Sequence, residues 1–308
     1  MRATDHPSWR VIVNSNGEQP LALLCAASRL PPSVVAEAMS KGAVWCKSGK
    51  HERRLRHGNE RLNAGDLLQF WYEPRVLALT APAASCVADA RRYSLWFKPA
   101  GLLAQGSRQG DHCALLRQVE LHFTPPRPAL LVHRLDRETS GLMVVAHDGK
   151  AAAGLSQLLA GQGVFKAYLA QVCGAGITAG WINQPLDGQA SASYVEPLAS
   201  NDGLTLIAVY LASGRQHQIR RHLAAIGHPL WGDPRYGQGN KNSEGLALQA
   251  QMLAFTCPFT HKQRQWRSIP PLWALTQLTP EALEGALSAL YQRYQQQPRP
   301  PEWGFAPR

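Results

Sequence analysis

Between Leu130 and Ala146, two apolar runs, Leu130-Leu131-Val132 and Leu142-Met143-Val144-Val145-Ala146, enclose a stretch reading HRLDRETSG from His133 to Gly141. The flanking runs read as strands. The stretch between them is unsuited to a core, because every buried polar group needs a partner. The segment therefore calls for a sheet that holds a polar loop at its edge, the kind of place where rigid scaffolds carry reactive groups. On residue chemistry alone, Asp136 between Arg134 and Arg137 reads equally well as a reactive carboxylate or as part of a structural ion-pair network.

Two further segments carry unusual chemistry. From Leu211 to Leu230, Ile219, Leu223 and Ile226 recur at helical spacing, with Gly214 opening the turn and Gly227 ending the helix. Arg220 lies beside that apolar stripe, where its guanidinium can reach a carboxylate through two hydrogen bonds. His217, His222 and His228 invite a metal-site reading, but spacings of five and six residues do not gather them on one helical face, so no metal is expected. Val164 to Ala170 alternates as a strand would, placing Lys166 and Tyr168 on one face. Taken alone, a tyrosine so placed is ordinary half-buried packing.

The net charge of +11 and the excess of Lys and Arg favour a polyanionic partner, nucleic acid before acidic metabolites. Six cysteines without a C-x-x-C pair argue against a zinc knuckle and a disulfide framework and suit a reducing compartment. The first residues lack the apolar run of a signal peptide, and no stretch approaches the ~20 apolar residues of a membrane span. A cytoplasmic protein with no membrane association, acting as a monomer, is the expectation.

Four ordered blocks resemble the RluA-type pseudouridine synthases. They are HRLDRETSG at 133–141, Lys98-Pro99-Ala100-Gly101 for the family's K-P-x-G turn, Lys166-Ala167-Tyr168 for K-x-Y, and Gly214 to Arg220 for G-R-x-H-Q-I-R. Gly232-Asp233 and Tyr236-Gly237 follow the last block, and the similarity spans roughly residues 92–275. The resemblance implies an α+β fold: a mixed, largely antiparallel sheet with flanking helices. It implies isomerisation of uridine to pseudouridine in structured RNA, a reaction needing no cofactor. Asp136 would be the catalytic aspartate, Tyr168 would stack on the extruded uracil, Arg220 would pair with Asp136, and Arg134 would enter the RNA helix in place of the flipped base. Further RNA-binding positions would be His133, Lys98, Lys166, Arg215, His217 and Ile219. Gln216 and Gln249 replace the Thr and His common in the family, and the stretch between Leu186 and Ser191 is shorter than usual.

Residues 17–74 resemble an S4-like RNA-binding module, with Ser28-Arg29, Lys41 to Val44 and Ala64-Gly65-Asp66 as landmarks. Arg29, Lys50, Arg53, Arg54 and Arg56 would there touch phosphates, which position a protein without reading sequence. The expected organisation is that module at 17–74, an Ala-rich linker at 75–91, the catalytic domain at 92–295 and a mobile tail at 296–308. The appended module favours ribosomal over transfer RNA as substrate. Two rivals are a non-catalytic RNA-binding or RNA-folding protein that kept the fold, and a glycosidase. The second chemistry ordinarily wants two carboxylates flanking the scissile bond, and only Glu138 lies near Asp136 in sequence.

Overall fold

The computed structural model describes residues 8–161 and 163–300. They form two compact units, one of residues 8–81 with 103–127 and one of residues 82–102 with 128–300.

In the first unit, β1 (Trp9–Ile12) precedes helices α1 (Pro20–Ser28) and α2 (Pro32–Ser40), followed by β2 (Val44–Ser48), β3 (His51–Arg54), β4 (Leu67–Phe70) and the short α3 (Pro74–Leu77). Each of the three helices opens on a proline, whose fixed φ suits the first turn and whose missing N–H would have had no partner there. The strands pair antiparallel in the order β1-β4-β2-β3, and Leu24, Val35, Met39, Leu68 and Phe70 fill the core between sheet and helices. Trp9 and Val11 alternate toward that core, so a strand precedes the stretch expected to hold the S4-like module. Helix α4 (Leu115–His122) belongs to the same unit.

The second unit is built on a ten-stranded sheet whose main path pairs strands in the order β10-β11-β12-β9-β13-β8-β6-β5. In chain order these are β5 (Ser85–Asp89), β6 (Tyr93–Lys98), β7 (Leu130–Leu131), β8 (Ser140–Ala146), β9 (Val164–Cys173), β10 (Gly180–Asn183), β11 (Ala192–Asn201), β12 (Leu204–Leu211), β13 (Leu248–Thr256) and β14 (Gln263–Arg267). Only β13 and β8 run parallel; every other pair is antiparallel, so the sheet is mixed and largely antiparallel as expected. Helix α5 (Gly149–Ala160) packs with Leu142, Val144, Leu253 and Phe255. Helix α8 (Pro280–Gln296) packs with Phe165, Tyr210 and Met252. The other two helices are α6 (Gln218–Ala225) and α7 (Leu272–Leu275).

Three boundaries differ from the expectation. The proposed linker 75–91 contains β5, an edge strand paired with β6; its alternating half-buried Cys86 and Ala88 are too small to give a hydrophobic signal. Residues 103–127 leave the expected catalytic stretch and join the first unit, a tertiary choice that no local pattern reveals. The expected tail is partly ordered: α8 continues to Gln296, Tyr210 donates its hydroxyl to the Gln297 carbonyl at 2.7 Å, and Arg299 and Pro300 are buried. The remainder, 301–308, lies outside the described residues. No single helix among the described residues is long and apolar enough to cross a membrane.

Candidate active site

The loop from Val132 to Thr139 hangs between β7 and β8, and its far end is fixed by a close backbone approach. Gly141 has φ +116°, and a Cβ there would lie 2.2 Å from the Ala250 carbonyl oxygen of β13. Only glycine lets the two strands pair at this point. Lys98, at the end of β6, supports the same loop from beneath. Its fully buried ammonium donates to the carbonyls of Leu102 (2.8 Å), Pro99 (3.1 Å) and Arg137 (3.2 Å). Burial pulls its pKa down to about 8, a pull partly offset by Glu138 and Asp136. His133 is a third support: its Nε2 accepts the Val144 amide of β8 at 2.9 Å. Burial lowers the His133 pKa to about 3, so it is held neutral.

On this frame Asp136 presents a carboxylate with 19% of its side chain exposed, enough to meet a ligand. Arg220, on α6, is buried and ties together several acidic groups. Its Nε and Nη2 fork onto Asp233 at 2.8 Å each, while Nη1 reaches Asp136 at 3.5 Å and Glu138 at 3.9 Å. Burial opposes charge on both partners of the fork, but the paired hydrogen bonds win. The arginine is held above its ordinary pKa and Asp233 below its own. Asp233 also accepts the amides of Arg235 and Tyr236 at 2.8 and 3.0 Å.

His217 caps the start of α6 with φ +52°, a left-handed conformation uncommon outside glycine though less so for histidine. That turn places its Nε2 3.6 Å from Asp136 Oδ1 and its Nδ1 3.1 Å from the Tyr236 hydroxyl. Burial lowers its pKa, with Asp136 pulling the other way. Tyr168, on β9, is nearly buried; burial and the nearby Asp136 charge both raise its pKa, so it stays a neutral phenol. Asp136, Arg134, Tyr168, Arg215, His217 and Arg220 all line one cavity of about 260 Å³, floored by Leu135, Leu211, Ile219 and Leu248. An apolar floor with an aromatic wall, a carboxylate and three arginines suits a planar, uncharged ring attached to an anionic chain.

Residues 92–225 match the RNA pseudouridylate synthase family. A ribosomal large subunit pseudouridine synthase D from Xanthomonas campestris is 31% identical over 270 residues, covering 77% of this chain and 81% of the relative. The chain belongs to the RNA pseudouridine synthase family. An RNA pseudouridine synthase from Bacillus subtilis is 34% identical over 183 residues; the match covers 53% of this chain and 61% of that relative's length. Among solved structures, human RNA pseudouridylate synthase domain containing 1 superposes with a TM-score of 0.54 at 20% identity, covering 68% of this chain and 97% of that one, which shows a shared fold.

Within this pseudouridine synthase fold, Asp136, Tyr168, Arg220, Arg134, Arg215, His217 and Ile219 converge on one cavity. One expected RNA contact does not stand: Lys98 is fully buried with its donors on backbone carbonyls. His133 is half-buried, with Nε2 occupied by the Val144 amide, and lines a neighbouring groove. Both hold the loop in place. In the first unit, Arg54 and Arg56 are drawn inward by Asp111, at 3.0 and 2.6 Å, with the Arg54 guanidinium 4.2 Å from the Trp45 ring centre. They are therefore not open phosphate contacts. Arg29 and Lys50 are exposed; Arg53 is exposed too but pairs with Glu60 at 2.7 Å. Asp233 and Tyr236 are parts of the site that the sequence alone does not single out, although both lie in the Gly232-Asp233 and Tyr236-Gly237 fragments. Arg220 does face Asp136, at 3.5 Å, while its two-bond fork goes to Asp233. The three histidines considered for metal face separate groups: Tyr236 and Asp136 for His217, Ser191, Ser193 and the Gln184 carbonyl for His222, and the Cys173 carbonyl for His228.

The neutral state of His133 has a consequence in acid. Its folded pKa lies below that of an unfolded histidine, so its contribution is complete above about pH 6.5 and fades as pH falls toward 3. Protonating Nε2 removes the acceptor of the Val144 amide. Over that window wild type should lose about 1–3 kcal/mol more stability than His133→Gln, as measured by urea melts at stepped pH. Parallel pH profiles for the two proteins would contradict this role.

Proposed function

We propose that this protein isomerises uridine to pseudouridine in structured RNA, with Asp136 as the catalytic carboxylate. The observation that carries the reading is the convergence of Asp136, Tyr168 and Arg220 on one cavity with room for a single nucleobase. The reaction breaks the bond between uracil N1 and ribose C1′, turns the ring and joins C5 to C1′; C5 gives up its proton to solvent and N1 takes one up, so atoms balance without a further reactant. A carboxylate serves it as a nucleophile or as a base at the sugar. Tyr168 can stack on the flipped ring at about 1–3 kcal/mol, which helps offset the few kcal/mol of extrusion. Exposed Arg134 at the cavity mouth can fill the gap left in the RNA stack.

Ribosomal RNA is the substrate class we infer, supported by the Xanthomonas relative that is named for the large ribosomal subunit. The first unit would act as an S4-like RNA-holding module through Arg29, Lys50 and Arg53. Mapping pseudouridine in total RNA from cells lacking the protein tests both points. Specific ribosomal sites should vanish and return with wild type; an unchanged map with retained RNA binding would instead favour an RNA-binding protein that kept the fold.

A further inference from the structure

Beside the nucleobase cavity runs a second groove of about 540 Å³, sharing Arg134, Tyr168 and Arg215 with it. Lys166 stands in its wall. Its Nζ donates to the Leu159 carbonyl at 3.2 Å, one bond from a group that carries three donors. Burial lowers the Lys166 pKa, and among the described residues no carboxylate offsets it. A half-buried ammonium that faces the groove with one hydrogen bond and, among the described residues, no counter-charge is placed to receive an anion. The opposite strand ends where that anion would enter: β12 pairs Tyr210 with Ala167 and stops at Leu211.

The spacing matches a nucleic-acid chain. Lys166 and Tyr168 are two residues apart on one strand, about 6.6 Å at the usual strand rise, roughly the length of one extended nucleotide. A base stacked on Tyr168 would thus bring a neighbouring phosphate to Lys166. Tyr294 and Pro298 line the groove too, from a part of the chain outside the family match at 92–225. We propose that this groove seats the phosphodiester next to the flipped uridine, with the Lys166 ammonium as its anion partner. The inference rests on the proposed base-flipping site and names a subsite of it.

The test uses full-length protein carrying Asp136→Asn, so that nothing turns over, and a fluorescent pentanucleotide, AAUAA. The probe is made with ordinary linkages and with a neutral methylphosphonate either before or after the uridine. One of the two neutral linkages should weaken binding about tenfold, the worth of a charge-assisted hydrogen bond. Adding Lys166→Met should reduce that discrimination to less than about twofold. Ser156→Tyr, which fills the groove from α5 and leaves Lys166 intact, should do the same, and thermal melts will show which variant stays folded. Neutral linkages that have no effect, or that weaken all three proteins equally, would overturn the subsite. Discrimination without pseudouridine formation anywhere would sink the proposed function while leaving the groove standing.

Discussion

Asp136→Asn is expected to lower the rate of isomerisation by at least about 10⁴-fold, the scale on which removal of a central catalytic group is felt. Its RNA affinity should stay within about threefold of wild type. The substitution keeps the side chain's shape and removes the group that would act at the sugar. Binding should survive because the stacking face of Tyr168 and the cations Arg134 and Arg215 are untouched. The charge change, if anything, favours a polyanion. Single-turnover kinetics and an RNA titration on the same preparations separate the two quantities. A variant that loses binding and rate together would mean that Asp136 holds the site together and does not act on substrate.

The second large effect concerns Arg220, which has a structural and a chemical duty on different nitrogens. Arg220→Met leaves the buried Asp233 carboxylate without its fork, and stranding such a charge costs about 3–5 kcal/mol. For a chain of 308 residues that is a fall in Tm of about 5–8 °C. Removing the stranded charge as well, in Arg220→Met with Asp233→Leu, should restore part of the stability. It will not restore all, because the Arg235 and Tyr236 amides lose their acceptor. Activity should not return in the double variant, since the Nη1 that faces Asp136 is still missing. A double variant no more stable than Arg220→Met would show that Asp233 was never stranded. A stable and active one would show that Asp136 does not need the arginine.

The two duties also show what a sequence can and cannot disclose. The loop around Asp136 was legible because seven polar side chains between two apolar strands have few structural uses. The shared face of Lys166 and Tyr168 followed from the two-residue period of a strand. Arg220 was legible as a cation at a core boundary, but its partner was not. Asp233 lies thirteen residues on, past the end of α6, and only the fold brings it within 2.8 Å. The same limit explains Lys98, Arg54 and Arg56. Each reads as a surface cation, yet Lys98 is spent on three carbonyls and the two arginines on Asp111, whose segment joins the first unit from beyond β6. Charge and composition count cations without saying which are already engaged. The strand at 85–89 escaped for the opposite reason: small side chains at a sheet edge carry too little apolar area to mark the alternation.

The convergence of Asp136, Tyr168 and Arg220 is most directly tested by tritium release from RNA labelled at uridine C5, using purified wild type and Asp136→Asn. Forming the C5 glycosidic bond expels the C5 hydrogen, so each turnover frees one label. The account predicts release by wild type, matched by pseudouridine in the digested RNA, and none above background from Asp136→Asn. Equal release from both proteins would contradict the assignment of Asp136, and no release by wild type from any ribosomal RNA substrate would contradict the proposed activity.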